Sequence, residues 1–520
     1  MKKTITAAAI LAILQVLNSC QLNEEFEGTK NGSQVGSSES DAASLLIGAY
    51  NSMRGPFEGN VNVFALSEVT TDERIMPTRG PDWDDNGVWR ALHQHQWDAN
   101  HSQVVGSFNG LNGIVYSATD LLRFNPSAQQ AAEARFLRAY AMYWELDLFD
   151  QVPYREPGES VLAPAKVRKG TEALTYIISE LTAIQKDLPD GRPGQASKDA
   201  ARALLMKCYL NKGVYANRSA PTFDAGDMNM VVKLADEIIS SNRYSFPANY
   251  FDNFAPNNSQ IGKENIFTDE NIGGTTGSDM SHHWFFVSHY KMNPSGYNGP
   301  CTSSEFYDKF EATDKRRGVA YSTPGGPPNP GMRINVGFLA GQQYDLTTDA
   351  PLTDRSGAAL VFTKEVKIIE TGRNLEVTGI RPIKYVPDMV NGGSYRADND
   401  LVRFRLADIL LMKAEAILRG GTGTSVGSYG STPLEIVNAI RTDASRGASA
   451  LASLTLDALI DERGRELWNE MWRRQDLIRF GKFLKPFQEK TQTSAATYLI
   501  FPIPNEQLAV NPLLSQNPGY

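Results

Sequence analysis

Arg403-Phe404-Arg405-Leu406-Ala407-Asp408-Ile409-Leu410-Leu411-Met412-Lys413-Ala414-Glu415-Ala416 is the stretch whose reading decides the fold. Leu406, Ile409, Leu410 and Ala414, continued by Ile417 and Leu418, recur at helical spacing and make one apolar stripe, which Gly420-Gly421 stops. Thr432-Pro433-Leu434-Glu435 then opens another helix, with a capping box and proline at its first position. Two helices joined by a short glycine-rich turn imply an antiparallel hairpin.

The same pattern recurs outward from this stretch. From Asp41, Leu45, Leu46, Ala49 and Met53 share a helical face. Thr171 is expected to cap a segment carrying Leu174, Ile177, Ile178, Leu181, Ile184 and Leu188, ended by Pro189. Ser197 is expected to cap a helix over 200–211, with 231–241 as its partner. Alanine-rich faces (Ala200, Ala201, Ala203; Ala414, Ala416) permit close helix approach. No period of about 34 residues is visible, so any tetratricopeptide-type repeats are degenerate. Residues 246–395 have another character, crowded with Gly, Pro, Asn and aromatics, including Thr323-Pro324-Gly325-Gly326-Pro327-Pro328-Asn329-Pro330-Gly331. A long irregular stretch flanked by helices reads as a functional excursion from one scaffold. The expected fold is therefore mainly α: a tetratricopeptide-like helical-hairpin scaffold (41–245 and 396–520) with a long irregular, loop-rich ligand-binding region (246–395) and minor β, one domain over 41–520.

The start of the chain reads as an export signal. Lys2 and Lys3 precede an apolar run from Ile5 to Leu17 that is too short to span a bilayer comfortably. Leu17-Asn18-Ser19-Cys20 resembles a lipobox, which makes 1–19 a lipoprotein signal peptide and Cys20 the lipidated N-terminus of a flexible tether, 20–40. Stable attachment needs a multi-chain lipid anchor. The 520 residues, 41% hydrophobic and 21% charged, have the composition of a globular protein with a large core. A net charge of -8 excludes non-specific nucleic-acid binding, which needs a basic face. Of the three cysteines, Cys208 lies in an apolar helix pattern and reads as a buried thiol rather than as a disulfide partner of Cys301.

Several motifs invite catalytic or metal readings. Gly423-Thr424-Ser425-Val426-Gly427 matches a nucleophile pattern but lies in a Gly/Ser-rich loop after a helix, without the strand-turn-helix context. Asp82, Asp84 and Asn86, followed by Gly87, resemble half of a calcium loop, which makes calcium the one cofactor the sequence raises; His93 stands where a closing glutamate is needed. His93, His95 and His101, and the pair His282-His283, lack the companion patterns of zinc sites. Glu462, Glu466 and Glu470 are interleaved with Arg463, Arg465, Arg473 and Arg474, so ion pairs are expected in place of an acid/base pair. The aromatics Trp83, Trp89 and Trp97, and Trp284, Phe285, Phe286, Tyr290 and Tyr297, fall in weakly structured stretches beside Asn, Asp and Arg. Aromatic rings pack on the apolar C–H face of sugars while polar neighbours bond the hydroxyls. The expected ligand residues are Arg79, Asp82, Trp83, Trp89, Trp97, Asn100, Trp284, Tyr290 and Tyr297.

Five ordered motifs resemble the SusD/RagB family: 132–140 running on to Gln151-Val152-Pro153-Tyr154; Arg403–Ala416; Val437-Asn438-Ala439-Ile440-Arg441; Glu462–Leu467 followed by Arg473–Arg479; and Pro502-Ile503-Pro504 to Gln516-Asn517-Pro518-Gly519-Tyr520. The resemblance runs from the lipobox to the last residue. It implies a surface lipoprotein that captures nutrients, usually glycans, and caps a SusC-like TonB-dependent outer-membrane transporter. It also gives Glu24 and Glu25 a role as a surface-export signal. Membership implies binding of an oligosaccharide without catalysis, with a peptide ligand as the alternative and a surface glycoside hydrolase as a further one.

Overall fold

The computed structural model describes residues 39–372 and 375–520. The expected signal segment, Cys20 and most of the tether lie outside the described residues. The longer helices of the first part are α1 (Glu39–Ser52), α2 (Asn62–Glu68), α3 (Ser102–Leu121), α4 (Ala128–Phe149), α5 (Gly170–Ile184), α6 (Lys198–Leu210) and α7 (Ala225–Ile239), with shorter turns at Arg54–Phe57, Val88–His93 and Lys212–Ala216. Near the end follow α8 (Leu406–Leu418), α9 (Pro433–Arg441), α10 (Leu456–Leu467), α11 (Arg473–Arg479) and a short helix at Asn505–Val510. Each helix from α3 to α7 packs on the next long helix in sequence, and α8 packs on α7, α9 and α10. The expected hairpin array is thus present, and it closes across the excursion: α7 and α8 are neighbours although more than 160 residues separate their ends.

Local chemistry sets the helix boundaries. Ser197 accepts from the Ala200 N–H, and Thr432 with Glu435 forms the expected reciprocal capping box. Thr171 does not cap. α5 begins one residue earlier, at Gly170, because a strand (Lys166–Lys169) paired with Gln151–Tyr154 runs straight into it, and the Gly170 N–H is taken by the Asp150 carbonyl. α4 is buried nearly all round from Ala132 to Phe149, the pattern of a central helix. Trp144 stacks on Trp472 at 5.2 Å, and Trp472 on Phe404 at 5.7 Å, joining α4 to the C-terminal part.

The polar residues of Arg403–Glu415 lie inside this core and reach other elements. Strand Leu401–Arg405 pairs antiparallel with Asn265–Asp269, and Arg403 forms an ion pair with Asp269. Asp408 meets Lys207 of α6 at 2.8 Å and Arg463 of α10 at 3.1 Å. Lys413 reaches Asp236 of α7 at 2.7 Å, and Glu415 reaches Arg479 of α11 at 2.7 Å. Arg405 bonds Glu466 at 2.6 Å and Glu470 at 2.7 Å, and Arg316 bonds Glu462 at 2.7 Å and Glu466 at 2.9 Å. Of the expected local pairs Arg465–Glu462 forms at 2.7 Å, whereas Arg463, Arg473 and Arg474 pair with Asp476, Asp72 and Asp147, and the glutamates take their other partners from distant elements. The single helical face expected for Glu462, Glu466 and Glu470 ends early, because α10 stops at Leu467 and Glu470 follows in a turn. Burial pushes the Glu462 carboxyl up, and Arg316, Arg465 and Arg441 outweigh it and hold the group at about 2.

The excursion between Ile239 and Leu401 holds only short helical turns and strands of two to five residues. The chain end is fixed by side-chain bonds to the backbone: Asn517 donates to the carbonyls of Phe149 and Phe501, and Gln151 donates to Asn517 at 2.9 Å. Cys208 and Cys301 are both buried free thiols.

Two stability predictions follow from buried charge. Arg405→Met leaves Glu466 and Glu470 short of a buried counter-ion and should cost about 3–5 kcal/mol, read by chemical denaturation. Glu145 is different: neither carboxyl oxygen has a hydrogen-bond partner among the described protein groups, and burial alone raises its pKa well above normal. A carboxyl raised in the folded state favours folding below the unfolded value of about 4.3 and loses that contribution as pH rises through the folded value. Glu145→Met should therefore stabilise the protein by about 1–3 kcal/mol at pH 8 and by less at pH 5, read by thermal unfolding at both.

Candidate functional site

The turn Arg79–Asp82 closes by reciprocal backbone bonds, Arg79 N–H to Asp82 O at 2.8 Å and Asp82 N–H to Arg79 O at 3.2 Å. Beyond it the backbone is left-handed at Trp83 (φ 60°), Asp85 (φ 40°) and Asn86 (φ 53°). Positive φ is costly for a large side chain and clusters at functional sites. It places the Trp83 indole against the loop 285–299, where Nε1 donates to the Tyr297 carbonyl at 2.9 Å and the ring meets Phe286 edge-on at 5.2 Å. Tyr395 (φ 53°) carries the same strain on the same face, and Asn298 (φ 55°) is left-handed in the buried base beneath it.

A continuous aromatic surface results. His282 stacks on Phe286 at 4.5 Å and meets Tyr395 at 5.7 Å; Tyr297 lies 6.0 Å from Phe286. The Tyr297 and Tyr395 hydroxyls are 3.2 Å apart, and the two residues are 49% and 42% exposed, so their rings are offered to solvent. At the edge, the Tyr290 hydroxyl donates to Asp82 at 3.3 Å and the Arg355 guanidinium lies 4.3 Å over the Tyr290 ring. Arg355 pairs with Glu376, which also meets His289 Nε2 at 2.9 Å. Burial pushes the Tyr290 hydroxyl pKa up, and the Asp82 charge adds to it, so the phenol stays protonated and can donate.

The expected ligand residues separate into two groups. Asp82, Trp83, Tyr290 and Tyr297 come together on this face. Arg79 does not reach the surface: it is buried behind it, donating to Gly299 O, Leu375 O and Thr378 O, and straps the two loops together. Trp89 is buried, its Nε1 donating to Asp85 at 2.6 Å, and supports Trp83 from 6.5 Å. Trp97 sits in the core, bonded to the Tyr520 hydroxyl at 2.8 Å and packed on Phe501 at 4.5 Å. Asn100 is exposed but bonds Asn505 of the C-terminal segment at 2.9 Å. Trp284 is fully buried with Gly392 against it. These five are placed by packing rather than by a ligand surface. Tyr395, His282 and Arg355 join the face unforeseen; the ring composition was visible, but their convergence depends on tertiary loop placement.

Of the calcium candidates, Asp84 pairs with Arg90 at 2.5 Å, Asp82 accepts from Tyr290 at 3.3 Å, and Asn86 lies in the left-handed turn after them (φ 53°). Among the described residues no three His, Cys, Asp or Glu side chains converge as metal ligands. Each of His93, His95, His101 and His283 bonds a backbone carbonyl through Nε2, and burial lowers all four pKa values, those of His95 and His283 to about 3. Glu462 and Glu466 are buried and held by arginines, which removes them from acid/base work.

The SusD family model matches residues 234–520. The chain belongs to the SusD family. Among curated relatives it is similar to the starch-binding protein SusD of Bacteroides thetaiotaomicron, 28% identical over 88% of this chain and 85% of that one. It is also similar to SusD-like protein P25 of Formosa agariphila, 26% identical over 88% of this chain and 83% of that protein. Among solved structures, a SusD superfamily protein from Parabacteroides distasonis superposes with a TM-score of 0.70 at 20% identity, covering 92% of this chain and 99% of that chain. Surface glycan-binding protein A of Bacteroides thetaiotaomicron, solved with laminarihexaose, superposes with a TM-score of 0.68 at 18% identity, covering 92% and 99%. At these identities the structural matches establish the SusD-like fold alone.

In this SusD family member Gly299 decides where Trp83 sits. A Cβ added there would overlap the indole Cε2 and Cζ2. Gly299→Ala should displace the ring and break its bond to Tyr297, shifting tryptophan emission to longer wavelength at a stability cost of about 1–3 kcal/mol.

Proposed function

We propose that this SusD family protein is a surface glycan-binding lipoprotein that captures an oligosaccharide on the face of Trp83, Phe286, Tyr297 and Tyr395 and delivers it to a SusC-like TonB-dependent transporter. The carrying observation is the continuity of that face: aromatic rings held by backbone strain and a hydrogen bond, with two tyrosines about half exposed. Sugar rings stack on such surfaces, and Asp82, the Tyr290 hydroxyl and Arg355 supply hydrogen bonds at the rim. Relatives named for starch, and structural neighbours solved with laminari- and xylogluco-oligosaccharides, support the same ligand class.

The protein acts by binding and hinge-like opening as a lid over the transporter, with no bond broken and no cofactor. Cys20 carries the lipid that holds it to the outer membrane, facing the cell surface. Among the described residues no helix is long and apolar enough to cross a membrane, so attachment in this reading rests on the lipid.

The test is calorimetric titration of the chain from Gln21 with malto-, laminari- and xylogluco-oligosaccharides and with a panel of peptides. At least one glycan should bind, and Trp83→Ala and Tyr297→Ala should each weaken it by about tenfold or more. Binding of peptides with no glycan bound, or release of sugar product by the purified protein, would overturn the reading. Mass spectrometry of the membrane-extracted protein should find lipid on Cys20.

A further inference from the structure

On the other side of the loop 285–299 lies a partly open cavity of about 570 Å³, within the range of ligand pockets. The loop presents Phe286, Tyr290 and Tyr297 to the aromatic face, whereas its Ser288, Met292 and Pro294 line the cavity. The opposite wall is the Pro/Gly-rich run 323–331, for which the aromatic face has no use. That wall is built. Asn329 donates to Arg333 O at 2.9 Å and accepts from the Arg333 N–H at 3.2 Å, and Gly331 lies directly against Asp349.

Tyr307, Tyr321 and Tyr344 line the cavity together with two arginines, each stacked on a tyrosine: Arg317 over Tyr307 at 4.4 Å and Arg333 over Tyr344 at 4.0 Å. The charges divide unequally. Arg333 is neutralised by Asp349 from outside the lining at 2.9 Å, and the carboxylate within the lining, Asp314, is committed to Arg316 at 2.7 Å. Arg317 bonds only the Tyr307 hydroxyl through its guanidinium and has no acidic partner among the described residues. The aromatic face has the opposite bias, with Arg355 paired to Glu376 and Asp82 exposed beside Tyr290.

We propose that the cavity is a second sugar site, which receives a residue bearing a carboxylate or sulfate, with Arg317 as counter-ion and the tyrosines as walls. It rests on the reading of the protein as a glycan binder and adds a preference for acidic sugars that the aromatic face does not provide. A guanidinium recognises either anion by paired N–H bonds, and a half-buried position shields the pair from salt more than a surface contact.

The experiment titrates the chain from Gln21 with trigalacturonate, with a sulfated galactose oligosaccharide, and with neutral laminarihexaose and maltohexaose. At least one anionic probe should bind. Arg317→Met should weaken it by about tenfold or more, and Arg317→Lys should restore part of the loss. Melting temperatures of the variants establish that they fold, and Tyr344→Ala serves as a second cavity variant. Failure of both anionic probes to bind the unsubstituted protein at millimolar concentration overturns the proposal, as does equal loss of a neutral glycan in Arg317→Met. Anionic binding lost in Arg317→Met while no neutral glycan binds supports the cavity and removes the aromatic face from the proposed function, so the two failures are distinguishable.

Discussion

Five charged side chains of a single stretch, Arg403, Arg405, Asp408, Lys413 and Glu415, are almost wholly buried, and each is paired with a different region of the chain. Their partners lie on strand 265–269, α6, α7, α10, α11 and the turn after α10. Such pairs contribute little net stability, because desolvation consumes most of the attraction. Their consequence is selectivity: any packing that shifts one helix by a turn leaves a buried charge without a partner, at a cost far above that of a misplaced apolar residue. An alanine-rich, weakly patterned helix array offers many near-equivalent packings, and this network distinguishes among them. Stacking of Trp144, Trp472 and Phe404 then fills the same centre with ring surface.

That constraint frees the excursion. Because α7 and α8 meet directly, the excursion enters the scaffold core only in part, through strand Asn265–Asp269 and Arg316 among others, and its remaining residues satisfy their own backbone groups. They do so through short strands and loop bonds, with buried arginines as straps. Arg79 ties the Gly299 loop to 375–378, and Arg381 bonds Asn298 at 2.8 Å. A rigid base of this kind can hold Trp83, Asn298 and Tyr395 in left-handed conformations that an isolated loop would relax. At Trp83 and Tyr395 the strain falls on rings of the aromatic face, which fits preorganisation for a flat ligand.

In the proposed reading, an aromatic face and a basic cavity on opposite sides of one loop would give a binding protein two kinds of selectivity. Stacking tolerates many sugars because every pyranose has an apolar face. A guanidinium set among tyrosines discriminates by charge. Under that proposal the two together give a common capture mode with a separate chemical filter.

Much of the scaffold was legible in the sequence. Periodic apolar stripes and local capping are short-range physics, so α8, the capping box at Thr432 and the Ser197 cap were readable from spacing alone. The pairing of charges was readable too, from alternating signs over 462–474, although not its partners. Thr171 was misread because a strand feeding α5 supplied what a cap would have supplied. For the face, residue type was informative and location was not. Seven tryptophans compete for core and surface, and an indole in a loop has the same local sequence signal whether it packs inward, as at Trp97 and Trp284, or outward, as at Trp83. The sequence by itself determined the helical scaffold, its family and the aromatic composition of the irregular region, because these depend on near neighbours and composition. Only the tertiary structure decided which rings form a surface and where an arginine remains without a carboxylate, because those outcomes depend on contacts between residues hundreds of positions apart.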